Sequence, residues 1–544
     1  MSEPFEMIAK TLQGLEEVLA KELTALGAND IEIGRRMVAF TGDKEMMYRA
    51  NFCLRTAIRI LKPIKHFEAN NADEVYEQVK AIAWEEYLGP DSTFAVDSVV
   101  FSETFRHSKF VSYRVKDAIV DRFRELTGRR PGVRVNHPDI LLNIHIAETH
   151  CTLSLDSSGE SLHRRGYRQE AVEAPLSEVL AAGLILLTGW HGECDLIDPM
   201  AGSGTIPIEA ALIARNVAPG VYRKGYAFER WPDFDQELFD AIYNDDSQER
   251  EFEHKIYAYD NSTKAVEIAT NNIKAAGMSR DIVLRLQPMQ QFQQPAEGAI
   301  IITNPPYGER ISTDDLLGLY ETIGERLKHA FTGGTAWILS YREECFDQIG
   351  LKASKRIPLN NGALECEFRQ YEIFEGKYRD FRAEGEELSR DPRQSSLRER
   401  QSGWRGGTNN RFGSGRQDRY NDRQDRFSNR QERRYNDHYT DRYGNRSDDR
   451  YTDRQWRSYD HQEGGEDDSR PSYRRYDRQE ARNQGGYRRD YGDENGNYRR
   501  SHDNDEGGWH RRSYDADYRR QRSGESYPER KRREREEGGQ ADND

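Results

Sequence analysis

Apolar and polar positions alternate along the first part of the chain with two periods. Phe5–Ala9 and the pair of runs within Ile31–Phe40 have the two-residue period of strands. Leu12–Leu26 instead repeats its apolar residues at helical spacing, and Gly27 follows as a helix C-cap. These patterns predict a small α+β unit over residues 1–64.

The next stretch repeats both periods and predicts a second α+β unit over residues 65–160. It contains two helical patterns and three alternating patterns: helices at Val75–Ala83 and Lys109–Gly128, and strands at Thr93–Ser98, Ile140–Ile146 and Thr149–Leu155.

Short apolar strands and amphipathic helices then take turns over residues 161–385. The strand candidates are 194–198, 255–260, 282–287 and 300–303. This alternation is typical of an α/β domain with a parallel, doubly wound, Rossmann-like sheet.

The first of these strands ends in an acid and a glycine-rich turn. Asp198-Pro-Met-Ala-Gly-Ser-Gly204 is followed directly by a helix. It has neither the three glycines of a dinucleotide fingerprint nor the Gly-Lys-Ser/Thr of a P-loop. A carboxylate at the turn disfavours phosphate and suits a cationic ligand. S-adenosylmethionine, with its ammonium and sulfonium groups, fits this description.

The second strand also ends in an acid, Asp260, where a helix begins. An acid in this place commonly holds ribose hydroxyls in doubly wound folds. The alternative is a plain helix N-cap.

A fourth strand, Ile300–Thr303, runs into Asn304-Pro305-Pro306-Tyr307. The two prolines stiffen the turn because they cannot donate backbone hydrogen bonds. The Asn304 side chain and the Pro305 carbonyl could accept both protons of a planar amino group, and the ring of Tyr307 could stack on its heterocycle. Taken alone, the turn could equally be a proline cap on a strand.

The ordered motifs resemble class I S-adenosylmethionine-dependent methyltransferases that act on exocyclic amines. More closely, residues 1–380 resemble the THUMP-domain RNA guanine-N2 methyltransferases, including the N-terminal half of the bacterial large-subunit rRNA enzyme. The matching segments are Asn51–Ala57, Leu162–Arg168, Asp198–Ala211, Ala218–Gly220, Phe228–Pro232, Asn304–Arg310 and Asn361–Cys366.

The resemblance implies a ferredoxin-like domain at 1–64, a THUMP RNA-binding domain at 65–160 and the methyltransferase domain at 161–385. It implies catalytic roles for Asn304, Pro305, Pro306 and Tyr307. Many class I enzymes carry an adenine-binding acid after the third strand, where this chain has Gln287. The cofactor-binding residues are then Asp198, Pro199, Ala201, Gly202, Ser203, Gly204, Thr205, Asp260, Asn261, Gln287 and Asn304.

Charge complicates an RNA substrate, because the chain carries a formal net charge of −14. Phosphate contact must then come from local basic patches. The run Arg164–Arg168 is either RNA-facing or a clamp between domains. The predicted RNA-binding residues are Arg106, Lys109, Arg114, Lys116, Arg164, Arg165 and Arg168.

The last part of the chain, 386–544, is predicted to be a disordered tail. From residue 401 onward it contains no Leu, Ile, Val, Met or Cys, so it cannot bury enough apolar surface to fold. Interleaved Arg and Tyr suit a weak RNA tether, and a solvating polyampholyte is the alternative.

The favoured function is formation of N2-methylguanosine in 23S rRNA. The alternatives are a tRNA guanine-N2 methyltransferase, an adenine-N6 methyltransferase, and a non-catalytic RNA-binding assembly factor. The five cysteines are scattered without a C-x-x-C pair, which supports neither a disulfide framework nor a metal site. With neither a signal peptide nor a long apolar span in the sequence, we expect a cytoplasmic protein and no membrane partner.

Overall fold

The structure is a computed structural model. It describes residues 3–172, 175–295, 298–307, 313–331 and 333–373. The predicted tail, its boundary at residue 385, and Gly308–Arg310 of the proline turn lie outside these residues.

The N-terminal unit is built from four strands and two helices among the described residues. Gly27, with φ of +86°, ends the first helix in the left-handed conformation that its lack of a Cβ permits. The elements are β1 (Phe5–Lys10), α1 (Glu16–Leu26), β2 (Asn29–Gly34), β3 (Met37–Gly42), α2 (Lys44–Cys53) and β4 (Arg59–Glu68).

The second unit adds its strands to the same sheet. Its elements are α3 (Ala72–Lys80), a 3-10 turn (Trp84–Glu86), β5 (Thr93–Phe101), α4 (Ser108–Thr127), β6 (Gly132–Val133), β7 (Ile140–Ala147) and β8 (His150–Asp156). Within the described residues, one sheet runs in the order β2-β3-β1-β4-β8-β7-β5-β6. The boundary predicted at residues 64 and 65 therefore falls inside β4. The start of this strand pairs with β1, and most of its length pairs with β8.

The third unit is the predicted α/β domain. Its elements are α5 (Glu178–Thr188), β9 (Leu196–Asp198), α6 (Thr205–Ala214), 3-10 turns (Pro219–Tyr222 and Ala227–Arg230), α7 (Gln236–Asn244), β10 (Ile256–Asp260), α8 (Thr263–Ala275), β11 (Ile282–Leu286), a 3-10 turn (Met289–Gln291), β12 (Ile300–Thr303), α9 (Thr313–Ala330), β13 (Thr335–Ser340), α10 (Glu343–Ile349), β14 (Lys355–Asn361) and β15 (Leu364–Glu372).

Strand order in this sheet confirms the doubly wound prediction. The order is β11-β10-β9-β12-β13-β15-β14, parallel through β13 and antiparallel for β15 and β14. Strand β9 lies between β10 and β12, so the winding direction reverses at its two sides. Ligands of open α/β sheets bind at the carboxyl ends of the strands at such a reversal.

Aromatic side chains between α6 and β10 join this domain to the N-terminal unit. The ring of Phe228 stacks on Tyr48 of α2, with centroids 4.4 Å apart, and Phe239 meets Phe52 edge-on at 6.3 Å. Phe228, Tyr48 and Phe239 are buried in one apolar core that extends from Met7 in β1 into the third unit. These aromatic residues thus form packing contacts between the two units.

Candidate active site

The glycine turn leaves β9 at the reversal point and enters α6. Gly202 and Gly204 have φ of +55° and +82°, which residues with a Cβ rarely adopt. The Ala201 N–H donates to the Tyr259 carbonyl at 2.8 Å, and the Gly204 N–H donates to the Ala201 carbonyl at 2.8 Å. The turn is therefore fixed against the end of β10 by its own backbone.

Two carboxylates flank this turn. Asp198 is buried, and its Oδ1 accepts the Met200 N–H at 3.2 Å and the Thr303 hydroxyl at 2.9 Å. Asp260 is half-buried; its Oδ2 accepts the Gly202 N–H at 2.9 Å and its Oδ1 the Ser262 N–H at 2.9 Å. Because a carboxylate oxygen can accept a further bond, Asp260 can hold both the turn and a ligand hydroxyl.

Thr303 links the glycine turn to the proline turn. This residue is the last of β12, immediately before Asn304, and its hydroxyl donates to Asp198 at the end of β9. Pro305 is buried, whereas Pro306 is exposed. The residues predicted to bind the methyl donor and those predicted to bind the methyl acceptor therefore lie together at one edge of the sheet.

Tyr307 lies close against its own turn. Its hydroxyl donates to the Asn304 Oδ1, and its ring meets Tyr341 edge-on with centroids 5.4 Å apart. Burial raises the pKa of this phenol well above its usual range, so the hydroxyl stays protonated. The Asn304 carbonyl oxygen has a second lone pair and can accept another hydrogen bond.

The remaining predicted cofactor residues lie around the same edge. Pro199 follows Asp198 in the turn, and Asn261 is exposed after Asp260. Gln287 follows β11, where its amide donates to the Gln291 carbonyl at 2.8 Å. Its side chain is occupied locally in this structure, and its contact with adenine stays a prediction.

The chemistry of these groups fits S-adenosylmethionine. The Oδ2 of Asp198 takes no hydrogen bond from the described residues and suits a cationic group. Open space around Gly202 leaves the turn accessible, since a Cβ built there would meet only Val172, at 3.8 Å. Asp198, the glycine turn and Asp260 are thus the groups that would hold the cofactor.

The predicted RNA-binding residues of the second unit divide into two sets. Arg106 and Lys109 are exposed near the start of α4. Arg114 instead pairs with Asp73 at 2.6 Å, and Lys116 pairs with Asp117 at 2.6 Å. Only the first set presents cations that are not already held by a described acid.

Two aromatic residues that our sequence reasoning missed lie beside these cations. Phe110 and Tyr113 on α4 are 54% and 49% exposed, which is unusual for large rings. Their exposure could have been inferred from helical spacing, because Val111 and Val115 already supply the buried face of the helix. We call Arg106, Lys109, Phe110 and Tyr113 the α4 surface.

Two other predicted RNA-binding residues are corrected by the structure. Arg165 is 1% exposed, and its guanidinium donates to Glu209 of α6 and to the backbone carbonyls of Leu162 and Arg55. Arg168 donates to the Leu176 carbonyl and pairs with Glu178. The donors of both side chains face inward. Arg165 reaches the N-terminal unit through the Arg55 carbonyl, which favours the clamp between domains, whereas the partners of Arg168 lie in its own domain. Of the three arginines of this run, Arg164 is the exposed one, and it pairs with Glu160.

Three family models match successive parts of the chain. Residues 6–61 match the RlmL ferredoxin-like domain, residues 69–156 the THUMP domain, and residues 165–370 the RMKL-like methyltransferase domain. A Synechocystis relative named as an RNA methyltransferase is 39% identical over 67% of this chain and 96% of its own length. The chain belongs to the RMKL-like methyltransferase family.

Other relatives of this RMKL-like methyltransferase are longer. The ribosomal RNA large subunit methyltransferase K/L of Syntrophotalea carbinolica is 40% identical over 70% of this chain and 55% of its own length. The K/L protein of Cellvibrio japonicus is 36% identical over 66% of this chain and 50% of its own. The chain thus spans about half the length of these K/L relatives.

Solved structures share the fold of the described domains. SMU.472, named as a methyltransferase and solved in complex with SAH, has a TM-score of 0.63 at 31% identity, covering 69% of this chain and all of its own. A Listeria monocytogenes protein named as an N6-adenine-specific DNA methylase has a TM-score of 0.62 at 32% identity, covering 68% and 97%. This RMKL-like methyltransferase uses S-adenosylmethionine as its methyl donor.

Among the residues that the structure describes, none of the helices combines the length and the apolar character that a bilayer crossing requires. No group of three or more His, Cys, Asp or Glu side chains in this described part of the chain could hold a metal ion.

Burial of Asp198 predicts a pH-dependent cofactor affinity. Burial, together with the nearby Asp260, raises the pKa of this carboxyl to about 7, although the hydrogen bonds from Met200 and Thr303 act to lower it. The carboxyl is therefore neutral below about pH 7, whereas a cationic ligand prefers it ionised. We expect the Kd for S-adenosylmethionine to fall by up to about tenfold per pH unit as pH rises toward 7.

Isothermal titration calorimetry between pH 5.5 and 7 measures this dependence. An Asp198→Asn variant should bind more weakly and with a flat profile. A wild-type Kd that is independent of pH over this range would contradict the role of the Asp198 carboxylate.

Proposed function

We propose that this protein methylates the exocyclic N2 amino group of guanine in RNA, with 23S rRNA as the favoured substrate. The observation that carries the proposal is the bond between Thr303 and Asp198, which holds the proline turn beside the glycine turn. Supporting it, K/L relatives named for ribosomal RNA are 36–40% identical over two thirds of this chain. An rRNA substrate would place the enzyme in the cytoplasm.

The residues of the proline turn address the main difficulty of this reaction. A guanine amino nitrogen is a poor nucleophile because its lone pair is delocalised into the ring. Asn304 Oδ1 and the Pro305 carbonyl would each accept a hydrogen bond from one of its two N–H groups and so orient the lone pair. The nitrogen would form its bond to the methyl carbon as the bond from that carbon to sulfur breaks, and would then lose one proton to solvent. When bound, S-adenosylmethionine supplies an activated methyl group. Orientation alone can contribute roughly 7–11 kcal/mol, so the turn needs no strong base.

Tyr307 has a second role in this proposal. Its ring stacks on the target base and fixes the plane in which the amino group lies. Its hydroxyl donates to Asn304 Oδ1, and the second lone pair of that oxygen is left for the substrate amino group.

The α4 surface is the RNA contact that the structure favours. Exposed arginine and lysine side chains neutralise phosphates, and exposed rings stack on unpaired bases. Arg106 and Lys109 supply the first function, and Phe110 and Tyr113 the second. A net charge of −14 makes such a local patch necessary for binding a polyanion.

The competing enzymatic function is methylation of adenine N6. Its exocyclic amine presents the same two protons to the proline turn, and the Listeria relative is named for that activity. The ferredoxin-like and THUMP matches over residues 6–61 and 69–156 favour RNA as the substrate.

Mass spectrometry of nucleosides from 23S rRNA and tRNA tests the function directly. A strain lacking the gene should lose N2-methylguanosine from the 23S rRNA fraction, and a plasmid copy should restore it. Loss of N2-methylguanosine from tRNA alone would show that the substrate is tRNA and not 23S rRNA. Loss of N6-methyladenosine would show that the target base is adenine and not guanine. An unchanged set of methylated nucleosides would favour a non-catalytic assembly factor.

A further inference from the structure

An asparagine in helix α8 is buried at the back of the glycine turn. Asn272 is 1% exposed, and it is not among the predicted site residues. Helix α8 approaches the turn closely, because a Cβ built on Gly204 would lie 3.3 Å from the Cβ of Ala269. The asparagine lies one helical turn further along the same helix.

All four hydrogen-bonding positions of this amide are used. Its Nδ2 donates to the Ser203 carbonyl at 3.0 Å and to the Glu170 carbonyl at 2.9 Å. Its Oδ1 accepts the backbone N–H of Gln169 at 2.8 Å and that of Glu170 at 3.3 Å. Neutral side chains other than amides cannot donate two bonds and accept two with this geometry.

These bonds join two segments that are distant in sequence. Ser203 is the residue between the two glycines of the turn. The other segment, residues 168–172, we call the strap. Arg168 anchors the start of the strap to the residue after the turn, since its Nη2 donates to the Thr205 hydroxyl at 3.0 Å. At its end, Val172 is the neighbour of Gly202.

We propose that Asn272 is a positioning residue for the cofactor, holding the carbonyl of Ser203 and the strap in one arrangement. This inference rests on the assignment of the glycine turn to S-adenosylmethionine. A turn with two residues at positive φ has many alternative conformations. The amide selects one of them from behind, without contacting the ligand, and so reduces the ordering that binding requires.

Replacing Asn272 with aspartate tests this role, with Asn271→Asp as the matched control. Asn271 is the adjacent residue of α8 and is exposed, so both variants add one negative charge to the same helix. Only at position 272 does the change turn two donors into acceptors that face two carbonyls. We expect the Kd for SAH by calorimetry to rise 10- to 100-fold in Asn272→Asp and less than twofold in Asn271→Asp.

Two further measurements separate positioning from general stability. At saturating S-adenosylmethionine, kcat of Asn272→Asp should stay within about threefold of wild type while KM for the cofactor rises with Kd. Hydrogen exchange of the backbone amides of residues 201–206 should be faster in this variant. A lower melting temperature with an unchanged Kd for SAH would overturn the proposal and leave Asn272 as a helix anchor.

A second variant keeps the test decisive if aspartate prevents folding. Asn272→Ser adds no charge and retains one donor. We expect its Kd for SAH to be at least fivefold above that of wild type. Wild-type affinity in Asn272→Ser would then overturn the proposal. Failure of wild type and Asn271→Asp to bind SAH would instead refute the cofactor assignment itself.

Discussion

Replacing Asn304 with alanine will lower the rate of methyl transfer by on the order of 10²–10³-fold and leave the Kd for SAH nearly unchanged. The size of the rate loss is that measured for other enzymes when one preorganised group that acts on the reacting atoms is removed. The position of Asn304 explains why the rate falls and the affinity for SAH does not. Asn304 follows β12 on the side of the site assigned to the target base. The resemblance also counts it among the cofactor-binding residues, but the groups that would hold the cofactor in this structure are Asp198, the glycine turn and Asp260.

Single-turnover transfer of labelled methyl groups to guanine-containing RNA measures the rate, and calorimetry measures the binding of SAH. Asn304→Asp is the informative companion, because it keeps an acceptor oxygen and should retain more activity than alanine. Asn271→Ala, on the exposed face of α8, controls for loss of an amide elsewhere. Wild-type rates in Asn304→Ala would remove the proline turn from the mechanism.

The parts of this site that follow from local sequence rules were predictable. Asp198 and Asp260 end their strands and Asn304 directly follows β12. Their side chains lie at one edge because the carboxyl ends of parallel strands point the same way. Gly27, which follows the predicted helix Leu12–Leu26, has positive φ in the structure. The sequence also predicts the doubly wound sheet, since strand and helix periods alternate in regular order.

Features that depend on packing between distant residues were not predictable. An arginine run such as Arg164–Arg168 has no periodicity that separates exposed from buried members. In the structure Arg164 is exposed and Arg165 is buried. The next residue, Gly166, has φ of +112°, and a Cβ there would lie 2.2 Å from the Tyr222 carbonyl oxygen, so close packing against distant residues fixes this segment. Asn272 gives no signal either, because polar residues on a helix are usually exposed.

The joining of the first two units into one sheet also depends on packing between distant residues and was not predictable. Strand β4 alternates like any strand, and its pattern does not state which neighbours it pairs with. Only the tertiary structure shows it joining β1 to β8. A boundary placed between periodic segments therefore divides a continuous sheet at residues 64 and 65.

The inward turn of Arg165 predicts the largest effect on stability. Its Nε donates to the Glu209 carboxylate at 3.4 Å, and its Nη1 to the Leu162 carbonyl at 2.8 Å. Its Nη2 donates to the Arg55 carbonyl in the N-terminal unit. Arg165→Met should cost roughly 3–5 kcal/mol, because Glu209, 0% exposed, would keep a buried charge without this partner.

Urea denaturation measures this loss through the midpoint and the m-value. Arg164→Met is a matched control one residue away, where an exposed pair with Glu160 is worth about 0–1 kcal/mol. The double variant Arg165→Met, Glu209→Leu should recover part of the loss, since it removes both charges. Recovery stays incomplete because the Tyr167 hydroxyl, which donates to Glu209 at 2.9 Å, loses its acceptor. Equal, small losses in Arg164→Met and Arg165→Met would show instead that Arg165 is not a clamp, and its guanidinium would again be a candidate for RNA contact.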